Sequence, residues 1–151
     1  MIFPYRTIIS EALDGKDFVL IVRPEVPVTF VGPSGAASYI GLVDTGSDHT
    51  ILPKSIADEL GIPVQPATGP PASVFGGQLV KLSIGEVVIK LKVVDSSCTW
   101  KATVFFHDFM KAVDETVIFG HTGFLDYFTA IFDGKLAELT LLPNDELPVV
   151  E

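Results

Sequence analysis

Apolar runs of strand length, broken at short intervals by turn residues, are what most limit the folds open to this chain. Residues 18–22 (FVLIV) follow the turn pair Asp14-Gly15, and residues 37–43 (ASYIGLV) follow Gly32-Pro33-Ser34-Gly35. The 13 glycines and 11 prolines supply the turns that many short strands need. Residues 26–31 contain Pro27, which removes a ladder donor, so this segment reads as an edge strand or an extended stretch. Residues 53–60 (PKSIADEL) form the first convincing helix, with Pro53 suited to the first turn and Gly61 placed to end it. Residues 65–72 (QPATGPPA) are loop, and residues 73–94, interrupted at Gly76-Gly77 and Gly85, read as two hairpins. Residues 102–106 and 116–119 are further strands, 121–128 a short helix, and 129–142 a hairpin turning at Asp133-Gly134. A length of 151 residues suits one mostly β domain.

A hydrophobic share of 48% against 19% charged residues favours a folded chain. The net charge of −9 excludes nucleic acid as an expected partner, because phosphates would be repelled. Cys98 is the single cysteine, so no intrachain disulfide forms, and it reads as a bystander thiol in a reducing compartment. The first 15 residues lack a basic region followed by an apolar run, and no run approaches the roughly 20 residues that span a bilayer. The expectation is a soluble cytoplasmic protein without a membrane partner.

The chemistry concentrates in residues 41–52, GLVDTGSDHTIL. An apolar strand delivers Asp44. Gly46, two residues on, permits a turn that a side chain would crowd, and Thr45 and Ser47 add hydroxyls able to hold that turn and the carboxylate. This presents a carboxylate rigidly at a strand end, as acid–base catalysis requires. Asp, Thr, Gly and Ser are also ordinary surface-turn residues, so the motif alone leaves both readings open.

The order of motifs separates them. LVDTGSDHTIL resembles the active-site strand and turn of the retropepsins, the single-lobe aspartic peptidases. About 75 residues on, residues 117–125 (VIFGHTGFL) are similar to that family's second signature, and residues 73–80 (SVFGGQLV) fall where the family carries its flap. Residues 131–142 resemble the closing hairpin. The resemblance covers roughly residues 26–143. It implies a closed β-barrel with one or two short helices, Asp44 as catalytic aspartate, and active-site support from Thr45, Gly46, Ser47, Asp48, Gly120 and His121. It also implies a flap of Val74, Phe75, Gly76, Gly77 and Gln78 over a peptide or protein substrate, with no cofactor or metal. Residues 1–25 are an N-terminal extension expected to pack on the domain, and 144–151 an acidic tail. The extra length points to a cellular or bacterial relative rather than a viral one.

Aspartic proteolysis needs two carboxylates sharing a proton, one to activate water and one to polarise the carbonyl. The chain has a single Asp-Thr-Gly; Asp95-Ser96-Ser97 lacks the glycine and reads as a hairpin end. A homodimer with Asp44 from each copy would supply the pair. The family often places an arginine after the second-signature glycine, paired with the aspartate four residues beyond the catalytic one. Here His121 stands in that position, so its ring is expected near Asp48. In viral relatives interleaved termini build much of the dimer interface, which Met1-Ile2-Phe3-Pro4 and the polar tail match poorly. His49 and His107 read as surface or loop histidines, and Asp108, Asp114 and Glu115 as an acidic loop. Val43, Ile51, Val74, Phe75 and Leu79 are candidates for apolar subsites or for core. The alternative to a peptidase is a catalytically silent retropepsin-fold module for peptide binding or assembly.

Overall fold

Alternation of side chains builds a closed barrel. In a computed structural model describing residues 1–12, 14–69, 72–73, 79–110 and 115–148, β4 (Glu25–Gly32) buries Val26, Val28 and Phe30. β10 (Ser83–Val93) buries Val87, Ile89 and Leu91, and β11 (Ser96–His107) buries Trp100, Ala102, Val104 and Phe106. Each set points to one side at period two, as a sheet covering a core demands.

β10 and β11 form one long hairpin that turns at Val94-Asp95, so Asp95 is a hairpin end as read. β5 (Gly35–Val43) pairs antiparallel with β4 along its whole length. The ring runs β11, β6 (Ile51–Pro53), β12 (Val117–Phe119), β5, β4, β10 and back to β11, giving six closed strands. β7 (Val64–Pro66) adds to the edge of β10. The helix α1 (Lys54–Leu60) buries Ile56, Ala57 and Leu60 and ends at Gly61 in the left-handed conformation, φ 65°, which glycine adopts without a Cβ penalty.

The reading of residues 26–31 as an edge is corrected. β4 lies between β5 and β10, and within β4 it is Thr29, Phe30 and Val31 that pair with β10. Pro27 is tolerated inside the sheet because it sits beyond the end of that ladder, where no donor is required.

The first 25 residues make two separate pairings, and the run at residues 18–22 is a strand as its sequence implies. β1 (Ile2–Pro4) pairs with β14 (Glu138–Pro143), which pairs in turn with β13 (Phe128–Asp133). Phe3 enters the core, and the Met1 amino group donates to the Leu141 carbonyl at 2.8 Å. Among the described residues, β2 (Arg6–Glu11) and β3 (Phe18–Arg23) pair only with each other. In the tail, Asn144 is tied to the Tyr127 and Asp126 carbonyls, each at 3.0 Å. The expected helix over 121–128 shrinks to a 3₁₀ turn at Leu125–Tyr127. Among the described residues, no helix is long and apolar enough to cross a membrane.

Candidate active site

β12 inserts between β5 and β6, parallel to the first and antiparallel to the second. The link from β5 to β6 must therefore arch over the end of β12, and that arch is residues 44–50. Asp44 stands at its start, with its N–H donating to the Phe119 carbonyl at 3.0 Å. The Ser47 N–H donates to the Asp44 carbonyl at 3.2 Å and closes the turn. The Gly46 N–H donates to Asp44 Oδ1 at 2.9 Å. A Cβ on Gly46 would lie 3.1 Å from that oxygen, so an added methyl would press on the carboxylate and push it by a few tenths of an ångström. The Asp44 carboxylate, held on one side, stays half-exposed.

The other side of the arch is clamped to the segment after β12. His121 N–H donates to the Ser47 carbonyl, Thr122 N–H to that of Asp48, and Thr50 N–H to that of Thr122, all at 3.0 Å. His49 and Thr122 make a parallel bridge. Gly120 is buried beneath, where its missing side chain leaves room for the Ser47 and His49 carbonyls. Below it Phe119 and Phe124 stack with centroids 4.1 Å apart, and Trp100 packs on Phe124 while donating to the Gly123 carbonyl at 3.1 Å. A packed aromatic floor thus fixes the segment that fixes the carboxylate.

A family model described as aspartyl protease matches residues 26–120, well over half of the chain, from the first barrel strand to the glycine under the arch. This chain belongs to the aspartyl protease family. Compared with curated proteins, it has no match.

Within this aspartyl protease fold, several expected contacts take a different form. The Ser47 hydroxyl donates to the His49 carbonyl at 2.8 Å, so it braces the arch, while the carboxylate is held by the Gly46 amide. The His121 ring does not pair with Asp48. Its Nε2 lies 3.2 Å from the Thr45 carbonyl oxygen, and its nearest carboxylate is Asp126, Nδ1 to Oδ1 4.0 Å. The reason is the clamp itself: Asp48 meets this segment through its backbone carbonyl, and its side chain is exposed. The 3₁₀ turn then brings Asp126 back beneath residue 121, with Asp126 N–H on the His121 carbonyl at 3.0 Å.

His49 and His107 are half-buried rather than surface residues. Their rings pack on Phe105 and Phe109 at centroid distances of 4.6 and 4.5 Å, and each encloses an Nδ1 without a partner among the described residues. The Thr50 hydroxyl, fully buried, is likewise unpartnered among the described residues. Val43 is core rather than a subsite, Ile51 is half-buried, and Leu79 is well exposed.

Val74, Phe75, Gly76, Gly77 and Gln78 lie outside the described residues. On either side of them β8 (Ala72–Ser73) and β9 (Leu79–Val80) pair antiparallel. Asp114 also lies outside, while Glu115 accepts from the Ser55 hydroxyl at 2.9 Å. Among the described residues, no three His, Cys, Asp or Glu side chains converge as a metal site. Burial of Cys98 pushes its thiol up to about 11. It is therefore protonated near neutrality and a poor nucleophile.

Proposed function

We propose that this family member is an aspartic endopeptidase whose active site is assembled from two copies of the chain, each giving Asp44. One carboxylate takes a proton from water as the oxygen attacks the scissile carbonyl carbon. The protonated partner carboxyl hydrogen-bonds the carbonyl oxygen and then protonates it. The tetrahedral diol collapses, the C–N bond breaks, and the amine nitrogen leaves with a proton from the dyad. In this reading Thr45 of each copy locks the two arches together and Gly46 meets the substrate backbone. Ser47, Asp48, Gly120 and His121 hold the arch, and the segment from Val74 to Gln78 closes over the peptide.

The observation that carries the reading is the single half-exposed carboxylate of Asp44. It is presented at the end of a barrel strand and fixed by the Gly46 amide at 2.9 Å. That is half of a two-carboxylate machine, and the other half must come from a symmetry mate. Digestion of an unfolded protein mixture by the wild type, set beside Asp44→Asn of equal fold by circular dichroism, tests it. The wild type should cleave and the variant should not. Peptide binding by both without cleavage by either would favour the silent-module reading.

A further inference from the structure

The β2–β3 ribbon has two unlike faces. Register pairs Thr7 with Val22, Ile9 with Leu20, and Glu11 with Phe18, so these six side chains share one face. On it Ile9, Phe18 and Leu20 are each more than 70% exposed and Val22 is 53% exposed. The opposite face carries Ile8, Ser10, Ile21 and Arg23, which are half-buried, with Arg6 and Val19 exposed at its two ends. A two-stranded ribbon is marginal in water by itself, and an apolar cluster of this kind marks a contact surface.

The root of the ribbon points to its occupant. The Pro24 carbonyl accepts from the Val43 N–H at 2.9 Å, one residue before Asp44. Arg6 and Arg23 both reach Glu25, at 3.2 and 4.0 Å, which anchors the two strand ends there. A two-fold axis that brings two Asp44 carboxylates together must pass close to this root. Six residues per strand carry the ribbon about 20 Å from it, far enough to reach a second protomer. β14 is meanwhile paired on both edges within its own chain, with β1 on one and β13 on the other.

Resting on the homodimer reading above, we propose that the open face of β2–β3, with Ile9, Phe18, Leu20 and Val22, is the arm that grips the second copy. The interleaved terminal strands of the viral enzymes would then be replaced by an N-terminal ribbon.

The test is sedimentation of wild type and a Phe18→Ser/Leu20→Ser variant over a dilution series, with thermal melts to confirm that the variant folds. Hydrogen exchange of the amides of residues 6–11 and 18–23 is followed above and below the dimer midpoint. Both changes fall on exposed side chains, so the fold should persist while the dimer dissociation constant rises about tenfold or more. Ribbon amides should be protected in the wild-type dimer and lose protection on dilution. Neither readout needs turnover, so an inert chain that dimerises through the ribbon would sink the peptidase reading and leave this one standing. An unchanged dissociation constant overturns the proposal, as does a wild type monomeric at every concentration. A variant with a raised KM and an unaltered dimer also overturns it, because the ribbon would then be a substrate wall.

Discussion

A Cβ on Gly120 would stand 2.3 Å from the His49 carbonyl oxygen and 2.6 Å from that of Ser47. Both oxygens belong to the arch that carries Asp44, and the Ser47 carbonyl is already engaged by the His121 amide. Backbone is pressed on backbone, so no rotamer change relieves an added methyl. Gly120→Ala should cost about 1–3 kcal/mol, the usual range for overpacking, and should reduce turnover by more than the lost folded population accounts for. Urea unfolding and cleavage assays on the same preparation check this. An unshifted unfolding midpoint would show that the arch is not seated as described.

The His121 ring contacts the Thr45 carbonyl and lies nearer Asp126 than Asp48. Double-mutant cycles on unfolding free energy distinguish the two carboxylates. His121→Ala with Asp126→Asn should show a coupling of about 0.2–1 kcal/mol, as for exposed ion pairs. The cycle of His121→Ala with Asp48→Asn should show none beyond error. A coupling confined to Asp48 would restore the arginine-like pairing and contradict the geometry found.

Cys98 lies on β11 opposite Leu91, and burial raises its thiol to about 11, partly offset by a backbone hydrogen bond at Leu91. Near pH 8 its alkylation should be on the order of a hundredfold slower than that of a free thiol, and Cys98→Ala should leave turnover unchanged. Fast modification accompanied by inactivation would make it a functional thiol.

The Tyr39 hydroxyl donates to Glu59. Burial first, then that hydrogen bond and the nearby Glu59 charge, raise its pKa from 10.0 to about 12. The folded value exceeds the unfolded one, so the folded state holds its proton longer. The contribution to stability is fully present below pH 10 and is lost as pH rises toward 12. Tyr39→Phe should flatten the alkaline fall in urea midpoint across that window. An identical fall in both proteins would assign it to other groups.

What could be read from the sequence followed from local chemistry. Pro53 and Gly61 bound the helix because each backbone conformation is dictated by the residue itself. The last hairpin was legible only in part. Asp133 opens its connection by accepting from the Lys135 and Leu136 N–H groups at 2.9 and 2.8 Å, but the strands join through residues 134–137 and the left-handed residue is Ala137, φ 51°, rather than Gly134. The Asp44–Gly46 turn was legible because its geometry fits within four residues. What escaped depends on partners distant in sequence. β1 is three residues long and exists as a strand because β14 lies beside it. Pro27 is internal because β10 stops pairing after Thr29, which no local signal encodes. His121 misses Asp48 because the arch meets β12 through backbone rather than side chains. The Phe119–Phe124–Trp100 floor was hidden as well, since its members come from two separate segments of the chain.

The central claim is that one active site takes one Asp44 from each of two chains, and subunit mixing tests it most directly. Wild type and Asp44→Asn are combined at constant total protein, allowed to exchange, and assayed for cleavage. Random pairing makes the fraction of sites with two aspartates the square of the wild-type fraction. An equal mixture should therefore retain about a quarter of the wild-type rate. Retention of about half, with a linear dependence on the wild-type fraction, would mean that each chain cleaves by itself and would contradict the shared site.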